Sequence, residues 1–438
     1  MKRILLLIAT VSLTVLITMT GCDTDYPPSP WNPDDTGNPN PIVTSVTPPD
    51  TSLEGVGIIQ IAGQNFSSVP TENVIFFNAK RGTVLEATPT LLTVQNPVVL
   101  EIPTQNWLDS IDIKIAVNRA YEFGNYLKTD GSMYPYRLKR AGIEYGNFDN
   151  SDKPHAMDCD SSGALYVAGE SKNIYKVTAD GTYGFTKTTY SANTAIAIVT
   201  GMKMGPGGQL YIARKNKKIY SIPAGGGSKL TFTVKDLSGN VADLDFDQNG
   251  ILWTAGKGDS VYAVDQSGNC IGSSPYVGFD IISVRIFNGY IYLAGTYSGD
   301  DTTIPAAGIW KNQITGVGTL GTREPVFNWT TFAGATGAIQ SISFDEDGNL
   351  YVGAKETYDA AKAYVPGNAI TIIKIDGSTE VLYPSIMKAP ATNVTWNNGN
   401  YLFISRWVEN DAAAGAPSIR VIRVELDKNS APYYGRGL

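Results

Sequence analysis

The 438-residue sequence predicts an all-β protein in which a small β-sandwich precedes a six-bladed β-propeller. Glycine, proline and tyrosine number 45, 24 and 24, and charged residues make up only 17% of the chain. This composition is typical of short strands joined by tight turns. Short apolar runs separated by turn residues extend over residues 41–137, and one strand–turn–strand unit then recurs six times over residues 138–438. Repetition at this period is typical of propellers.

The N-terminus predicts an export signal. Lys2 and Arg3 precede an apolar run over residues 4–19, which is short for a membrane-spanning helix and typical of a secretion signal. The run ends in Met19-Thr-Gly-Cys22, which resembles the bacterial lipobox, although Met19 replaces the usual leucine. The resemblance implies removal of residues 1–21 and lipidation of Cys22, which would attach the chain to a membrane. The alternative is an uncleaved anchor with an incidental cysteine.

Residues 22–40 predict an extended tether, because six prolines between Pro27 and Pro41 prevent this stretch from packing a core. Asp23 and Asp25 directly follow the lipid site. Acidic residues there resemble the surface-export signal of Bacteroidetes-type lipoproteins, whereas an aspartate at that place in enterobacteria resembles a signal for inner-membrane retention. We expect an outer-membrane lipoprotein that is exposed on the cell surface.

Residues 41–137 predict the sandwich. Ile111, Ile113 and Ile115 alternate with polar or small residues, a pattern in which one face of a strand is buried. Other short apolar runs of this segment begin near residues 42, 58, 73, 91 and 98. The segment resembles an IPT/TIG domain, and the residues that carry the resemblance are Ile42, Val46-Thr-Pro48, Ile61-Ala-Gly63-Gln-Asn65-Phe66 and Val74-Ile-Phe76. The resemblance implies an immunoglobulin-like spacer or protein-contact module without catalytic residues.

Residues 138–438 predict the propeller. Each unit has an apolar strand, an Asp/Asn-Gly turn, an apolar-aromatic strand and a third short strand. The central residues of the second strands are Leu165, Leu210, Leu252, Ile291, Leu350 and Leu402. These repeats resemble NHL-type propeller repeats, a likeness that concerns the fold because propellers have many functions. The sixth unit lacks a fourth strand of its own, so we expect residues 138–145 to pair with it and close the ring.

The first strand of each unit predicts the lining of a central channel. Apolar residues two apart, such as Met202 and Met204, mark the buried face, and the residues between them face the channel. Those residues are Asp158, Lys203, Asp245, Arg285, Ser343 and Thr395. Because charges alternate over the first four, we expect ion pairs beside the channel. The functional alternative is a channel that grips a ligand.

Connection length predicts a ligand surface on one face of the propeller. The segments between second and third strands are short in blades 1 to 3 and long in blades 4 to 6, at residues 295–308, 354–369 and 406–418. Long loops in compact repeats are typically functional. The candidate ligand-binding residues are Tyr297, Tyr358, Tyr364 and Trp407, together with Trp329 and Phe332 from the connection into blade 5. Aromatic faces beside carboxylates and amides suit sugar rings. The alternative is that these aromatics pack the loops themselves.

Several chemistries are disfavoured by composition. His155 is the single histidine, whereas an HExxH zinc site needs two, and the three cysteines form no CxxC motif. A net charge of −7 disfavours nucleic-acid binding. The aspartates before Gly250 and Gly348 suit tight turns better than calcium loops. We therefore expect no metal, no cofactor and no catalytic residue.

The predicted layout is a lipid anchor, a tether, an immunoglobulin-like spacer and a terminal module, and it resembles that of Bacteroidetes-type surface glycan-binding lipoproteins. We expect a non-catalytic protein whose partners are the membrane, through Cys22, and an extracellular polysaccharide. One alternative is a protein–protein interaction module of an envelope complex. The other is a propeller enzyme, either a glycoside hydrolase with two opposed carboxylates or a metal-dependent lactonase-like protein with Glu, Asn and Asp converging at the channel mouth.

Overall fold

A computed structural model describes residues 36–98, 107–180, 184–196, 198–384, 386–408 and 418–437. The lipobox with Cys22 lies outside the described residues, as does most of the run that begins at Val98. Among the residues described, none forms a helix with the length and apolar character that crossing a membrane requires.

The first part of the chain forms three sheets, in the orders β1-β3-β7-β6, β10-β9-β4-β5 and β2-β11-β8. A short 3-10 helix, Pro70–Glu72, precedes β4. The strands are β1 (Ile42–Thr47), β2 (Thr51–Leu53), β3 (Ile58–Gln64), β4 (Asn73–Phe77), β5 (Lys80–Arg81), β6 (Thr83–Thr88), β7 (Leu91–Gln95), β8 (Trp107–Ile111), β9 (Ile113–Val117), β10 (Gly124–Asn125) and β11 (Tyr136–Lys139).

The core of this first part follows from strand alternation. Ile111, Ile113 and Ile115 are all fully buried, as the alternating pattern predicts. They belong to one cluster with Ile59 and Ile61 of β3, so apolar faces of different sheets meet in the middle. β11 crosses the predicted boundary at residue 137, and its pairing with β2 and β8 keeps it in the sheets of the first part.

Six four-stranded sheets follow within the described residues, one for each predicted repeat. Every sheet is antiparallel, and its first strand is the innermost because the first strands of neighbouring sheets contact one another. Two further 3-10 segments are Pro206–Gly208 and Tyr434–Gly437. The strands of blades 1 to 3 are β13 (Pro154–Cys159), β14 (Leu165–Gly169), β15 (Ile174–Asp180), β16 (Gly184–Ser191), β17 (Gly201–Gly205), β18 (Gln209–Ala213), β19 (Tyr220–Ile222), β20 (Leu230–Thr231), β21 (Asp243–Phe246), β22 (Leu252–Ala255), β23 (Ser260–Val264) and β24 (Cys270–Pro275).

Blades 4 to 6 have the same order, with additions in the last two. A two-stranded hairpin, β31–β32, interrupts blade 5, and a strand from the start of the propeller, β12, completes blade 6. The strands are β25 (Phe279–Phe287), β26 (Tyr290–Tyr297), β27 (Ala307–Gly316), β28 (Thr319–Asn328), β29 (Ile339–Phe344), β30 (Leu350–Ala354), β31 (Thr357–Tyr358), β32 (Tyr364–Val365), β33 (Ile370–Ile373), β34 (Thr379–Val381), β35 (Asn393–Trp396), β36 (Tyr401–Val408), β37 (Ser418–Glu425) and β12 (Ile143–Glu144).

The ring is closed by pairing between its two ends. β12 pairs with β37, so Ile143 lies opposite Arg423 in the sixth sheet. The innermost strand of blade 6, β35, in turn contacts the innermost strand of blade 1, β13. This confirms the predicted blade number and the predicted closure by the segment after residue 137. Closure removes an open sheet edge that would otherwise expose unpaired backbone groups.

The first part packs on blade 6 next to a buried ion pair. Arg140, just after β11, donates to Glu54 at 2.7 Å, and both side chains are almost completely buried. Leu53 and Val56 pack against the apolar cluster that contains Ile386 and Ile422 of the propeller. A buried ion pair requires close geometry to offset the cost of desolvation. This junction therefore holds the two parts together at a defined place.

Replacing Arg140 should destabilise the protein strongly. Arg140→Met removes the guanidinium that donates to the buried Glu54 carboxylate, and we expect the free energy of unfolding to fall by about 3 kcal/mol. The matched control is Lys139→Met, because Lys139 pairs with Glu425 at 2.9 Å in a more exposed position and should cost less than about 1 kcal/mol. Urea unfolding followed by tryptophan fluorescence compares the two. Equal losses in both variants would contradict a stabilising role for the buried pair.

Candidate functional site

The two faces of the propeller differ in what they carry. We define the upper face as the side with the connections from second to third strands and between blades. The lower face carries the turns between first and second strands and the hairpins between third and fourth strands. Tyr297 ends β26, Tyr358 follows β30, and Trp407 is near the end of β36. All three therefore lie on the upper face, because each comes at the end of, or just after, a second strand.

The upper connections are shorter than the sequence predicts. In blade 4, Gly295 pairs with Gly308 and Thr296 with Ala307, so the strands continue into the predicted loop and Tyr297 is a strand residue. Trp407 likewise lies in β36, opposite Ile419. Alternation of apolar and polar residues predicts a strand, but it does not show where the strand ends when glycine and polar residues continue the pairing. Residues 409–417 of the blade 6 connection lie outside the described residues.

Four of the six predicted ligand residues pack against apolar clusters of the protein itself, and they are Trp329, Phe332, Tyr297 and Trp407. Trp329 is only 4% exposed, and its indole N–H donates to the Gly337 carbonyl at 2.9 Å. The ring of Phe332 lies 5.5 Å from that of Trp329. Tyr297 packs 4.7 Å from the Phe279 ring, within the apolar cluster of blade 4. The sequence analysis left open the alternative that these aromatic residues pack the loops themselves, and this packing agrees with it. Trp329 is buried, so it contacts the protein where a ligand contact was predicted.

Tyr358 and Tyr364 are brought together on the hairpin of blade 5. They lie directly opposite each other in β31 and β32. Tyr358 is 40% exposed. The Tyr364 hydroxyl donates to the Ala389 carbonyl at 2.5 Å, and the Arg406 guanidinium lies 5.9 Å from its ring centre. The contact with Ala389 fixes the hairpin on the rim between blades 5 and 6.

Trp407 faces the other side of β36, towards blade 1. The Lys153 ammonium lies 4.8 Å from the indole centre, and the His155 ring lies 6.4 Å away with an edge-on orientation. Glu170 accepts from Lys153 at 3.1 Å and contacts His155 at 3.3 Å. Burial would raise the pKa of Glu170, but hydrogen bonds from Lys153 and His155 outweigh it and lower that pKa.

We call this arc the upper rim and define it by Tyr358, Tyr364, Arg406, Trp407 and the three blade 1 residues Lys153, His155 and Glu170. Adjacent residues on a strand point to opposite sides, so Arg406 faces the hairpin of blade 5 while Trp407 faces blade 1. The blade 1 residues were not predicted as site residues. They are about 250 positions from Trp407 in the chain, and only ring closure places them beside it.

The central channel is occupied by the C-terminal segment, residues 431–437. The Tyr433 ring lies between two guanidinium groups, those of Arg285 and Arg436, each 3.6 Å from the ring centre. Its hydroxyl bonds to the Ser343 hydroxyl at 2.8 Å and accepts from the Trp396 amide at 3.2 Å. Burial would raise the pKa of Tyr433, but Arg285, Lys203 and Arg436 together lower it.

The segment contacts every blade. Arg436 donates to Asp158 of blade 1 and to Asn398 of blade 6. Gly435 packs closely on the Met204 carbonyl of blade 2 and on the ring of Phe246 of blade 3. In blade 4, Arg285 donates to the Pro432 carbonyl at 3.1 Å, and in blade 5 the Phe344 carbonyl accepts from the Ala431 amide at 3.1 Å.

The predicted ion pairing is confirmed for Asp245 and Arg285, which are buried and 2.5 Å apart. The partner of Asp158 is Arg436 of the C-terminal segment. Burial would raise the pKa of Asp158, but Arg436 and Lys203 outweigh it and hold that pKa below its ordinary value. No sequence pattern points to Arg436, because it follows the last repeat and the periodic pattern does not continue there. The functional alternative was a channel that grips a ligand. The structure has the C-terminal segment of this chain in that channel.

Acidic turn residues on the lower face are used by their own turns. Asp247 accepts from the amides of Asn249 and Ile251 and from the indole of Trp253, all within 3.0 Å. Asp345 accepts from two amides of its turn in the same way. Turn formation thus accounts for these aspartates. Within the described part of the chain, no three His, Cys, Asp or Glu residues lie close enough to hold a metal ion.

Comparison with known proteins finds a family match for the first part of the chain. Residues 41–127 match the IPT/TIG domain model, which confirms the resemblance carried by Gly63, Asn65 and Phe66. No curated protein matches the chain.

Solved structures with partial likeness include an auxiliary nutrient binding protein from Bacteroides thetaiotaomicron. Its sequence is 11% identical, the alignment covers 88% of this chain and 98% of that chain, and the TM-score is 0.44. A second, from Bacteroides ovatus, has 12% identity, 90% and 99% coverage and a TM-score of 0.44. Virginiamycin B lyase from Staphylococcus aureus has 13% identity, 73% and 92% coverage and a TM-score of 0.38. Similarity this low indicates nothing about what this chain binds.

Removing the charge of the C-terminal segment should destabilise the ring. Arg436→Met leaves Asp158 buried without its ion-pair partner, and we expect a loss of about 3 kcal/mol in the free energy of unfolding. Tyr433→Phe removes only hydrogen bonds of the hydroxyl and should cost about 1 to 2 kcal/mol. Lys428→Met is the control, because its pair with Asp347 is exposed. Denaturant unfolding measures all three, and an unchanged stability of Arg436→Met would contradict a stabilising role for the ion pair with Asp158.

We expect the free energy of unfolding to fall as pH rises from 4 to 6, because Asp243 loses its proton in this range. Its side chain accepts from the Ser283 hydroxyl and the Val284 amide at the start of the inner strand. Burial raises its pKa from 3.8 to about 6, against the opposing effect of Lys203. The folded state therefore binds a proton more tightly than the unfolded state in this range, and up to about 3 kcal/mol is lost as pH rises through it. Unfolding midpoints against pH should show a shallower decline in Asp243→Asn.

Proposed function

We propose that this protein is a non-catalytic cell-surface lipoprotein that binds an extracellular glycan through the upper rim. The observation that carries the proposal is the hairpin of blade 5, which presents Tyr358 at 40% exposure on the same rim as Tyr364 and Trp407. Aromatic rings stack on the CH faces of sugars, and neighbouring polar groups bond the hydroxyls. The anchor in this proposal is lipid on Cys22, with residues 23–40 as the tether.

The polar groups of the upper rim also fit a polyhydroxylated ligand. Lys153, His155 and Glu170 form a hydrogen-bonded set next to the Trp407 ring, and each side chain is between 18% and 35% exposed. Such groups can exchange hydrogen bonds with water for hydrogen bonds with sugar hydroxyls at small net cost. The central channel cannot serve the same purpose while Tyr433 and Arg436 occupy it.

Protein contact is a second candidate function, and a different surface favours it. In the IPT/TIG part, Tyr121 and Phe123 are 70% and 52% exposed. The Phe123 ring lies 6.0 Å from that of Phe76, which Arg81 covers at 5.5 Å. Exposed aromatic residues next to arginine are common where proteins associate. In this reading the spacer contacts an envelope protein while the propeller holds the glycan.

Affinity electrophoresis through gels containing individual polysaccharides tests the glycan proposal. We expect the full chain to be retarded by at least one polysaccharide. Tyr358→Ala and Trp407→Ala should each weaken that interaction about tenfold, since stacking on one aromatic ring contributes about 1 to 1.5 kcal/mol.

Tyr121→Ala is the matched control, because it removes an exposed tyrosine from the other part of the chain and should leave retardation unchanged. Thermal unfolding verifies that each variant is folded. If no polysaccharide retards the protein, or if Tyr121→Ala alone abolishes retardation, glycan binding at the upper rim is wrong.

A further inference from the structure

A second candidate ligand site lies on the lower face, between blades 3 and 4. It is a cavity of about 320 Å³, near the lower end of the roughly 300 to 1,000 Å³ found for small-molecule sites. The turn after β21 forms one wall, the hairpin between β27 and β28 forms another, and Tyr434 of the C-terminal segment lies between them. The cavity is far from the upper rim, because it lies at the opposite ends of the strands.

The polar groups of this cavity are amides and hydroxyls. Gln248 and Asn249 are both exposed, and within the described residues no hydrogen bond is made by either side-chain amide or by the Tyr434 hydroxyl. Each amide offers a donor and an acceptor to a ligand. Thr315 adds a hydroxyl that donates to the Thr319 carbonyl, and the apolar part of the lining comes mainly from Ile286 and Ile314.

Among the described residues that line the cavity, Asp247 is the only carboxylate, and it is unavailable to a ligand. Asp247 is 3% exposed, and its two oxygens already accept from two amides and the Trp253 indole. The lining contains no lysine, arginine or histidine within the part of the chain that the structure describes. A charged ligand would therefore find no compensating charge, whereas a neutral ligand with one apolar face and several hydroxyls matches both halves of the lining.

We propose that this cavity binds a neutral pyranose ring, with the CH face of the sugar on Tyr434 and Ile314 and its hydroxyls bonded to Gln248 and Asn249. The inference stands independently of the upper rim, because the two sites share no residue. It also gives the C-terminal segment a second role: Tyr433 occupies the channel, and the next residue, Tyr434, lines the site.

Isothermal titration and saturation-transfer NMR of the full chain test the proposal. The probes are methyl pyranosides of glucose, galactose and mannose and the N-acetyl derivatives of glucose and galactose. We expect saturable binding of at least one probe. The double variant Gln248→Ala/Asn249→Ala removes the amides and should weaken that binding at least about tenfold.

Val317→Trp provides a second, independent variant. Val317 is 65% exposed at the cavity mouth, so a larger side chain can fill the mouth without entering the core, and we again expect at least about tenfold weaker binding. The matched control is Gln313→Ala, which removes an exposed glutamine of the same blade that lies outside the cavity and should leave binding unchanged. Unchanged thermal unfolding shows that the variants are folded.

The outcomes separate the two sites. Weakening by both cavity variants, with normal binding in Gln313→Ala and Tyr358→Ala, supports the lower site whatever the result for polysaccharides at the upper rim. Three results overturn it: no probe binds, both cavity variants bind like the unmodified chain, or only Tyr358→Ala loses binding. The last result would assign pyranoside binding to the upper rim instead.

Discussion

Charge neutralisation at the centre of the ring is the constraint on which the propeller depends. Three carboxylates, those of Asp158, Asp243 and Asp245, face the channel, and the inner strands supply only two cations, Lys203 and Arg285. Arg436 brings the third cation from the C-terminus and pairs with Asp158. Burying a charge without a partner costs several kcal/mol. The ring and its C-terminal segment are therefore one electrostatic unit, in which Tyr433 separates two guanidinium groups that would otherwise repel each other.

This arrangement also determines where ligands can bind. Because residues 431–437 occupy the channel and contact all six blades, the accessible polar surfaces are at the two ends of the strands. The upper rim joins the last two blades to the first, with Trp407 beside Lys153 and His155. The lower face has a cavity of similar size to known small-molecule sites, and its floor includes the residue after Tyr433. The upper rim is a consequence of ring closure, whereas the lower cavity depends on the C-terminal segment, which supplies Tyr434.

The junction between the two parts of the chain follows the same principle on a smaller scale. Arg140 and Glu54 are almost completely buried, and each neutralises the other. Apolar side chains on both sides exclude water from the pair, which strengthens the interaction between the two charges. The IPT/TIG part is therefore packed on blade 6 by defined contacts, and β12, which completes that blade, follows Arg140 after two residues.

Local patterns in the sequence determined the elements of this fold. The glycine turns of the six repeats, the alternation around them and the apolar isoleucines of the first part depend on residues near one another in the chain, so strands, blade number and inner-strand register could be predicted. The residues of the candidate sites could be predicted only in part. Trp329 and Tyr358 look alike as aromatic residues in long connections, yet one is buried and the other 40% exposed. Only the tertiary structure decided between them, and only it placed Arg436 on Asp158 and Lys153 on Trp407, because burial and contacts across about 250 residues depend on how the ring closes rather than on neighbours in sequence.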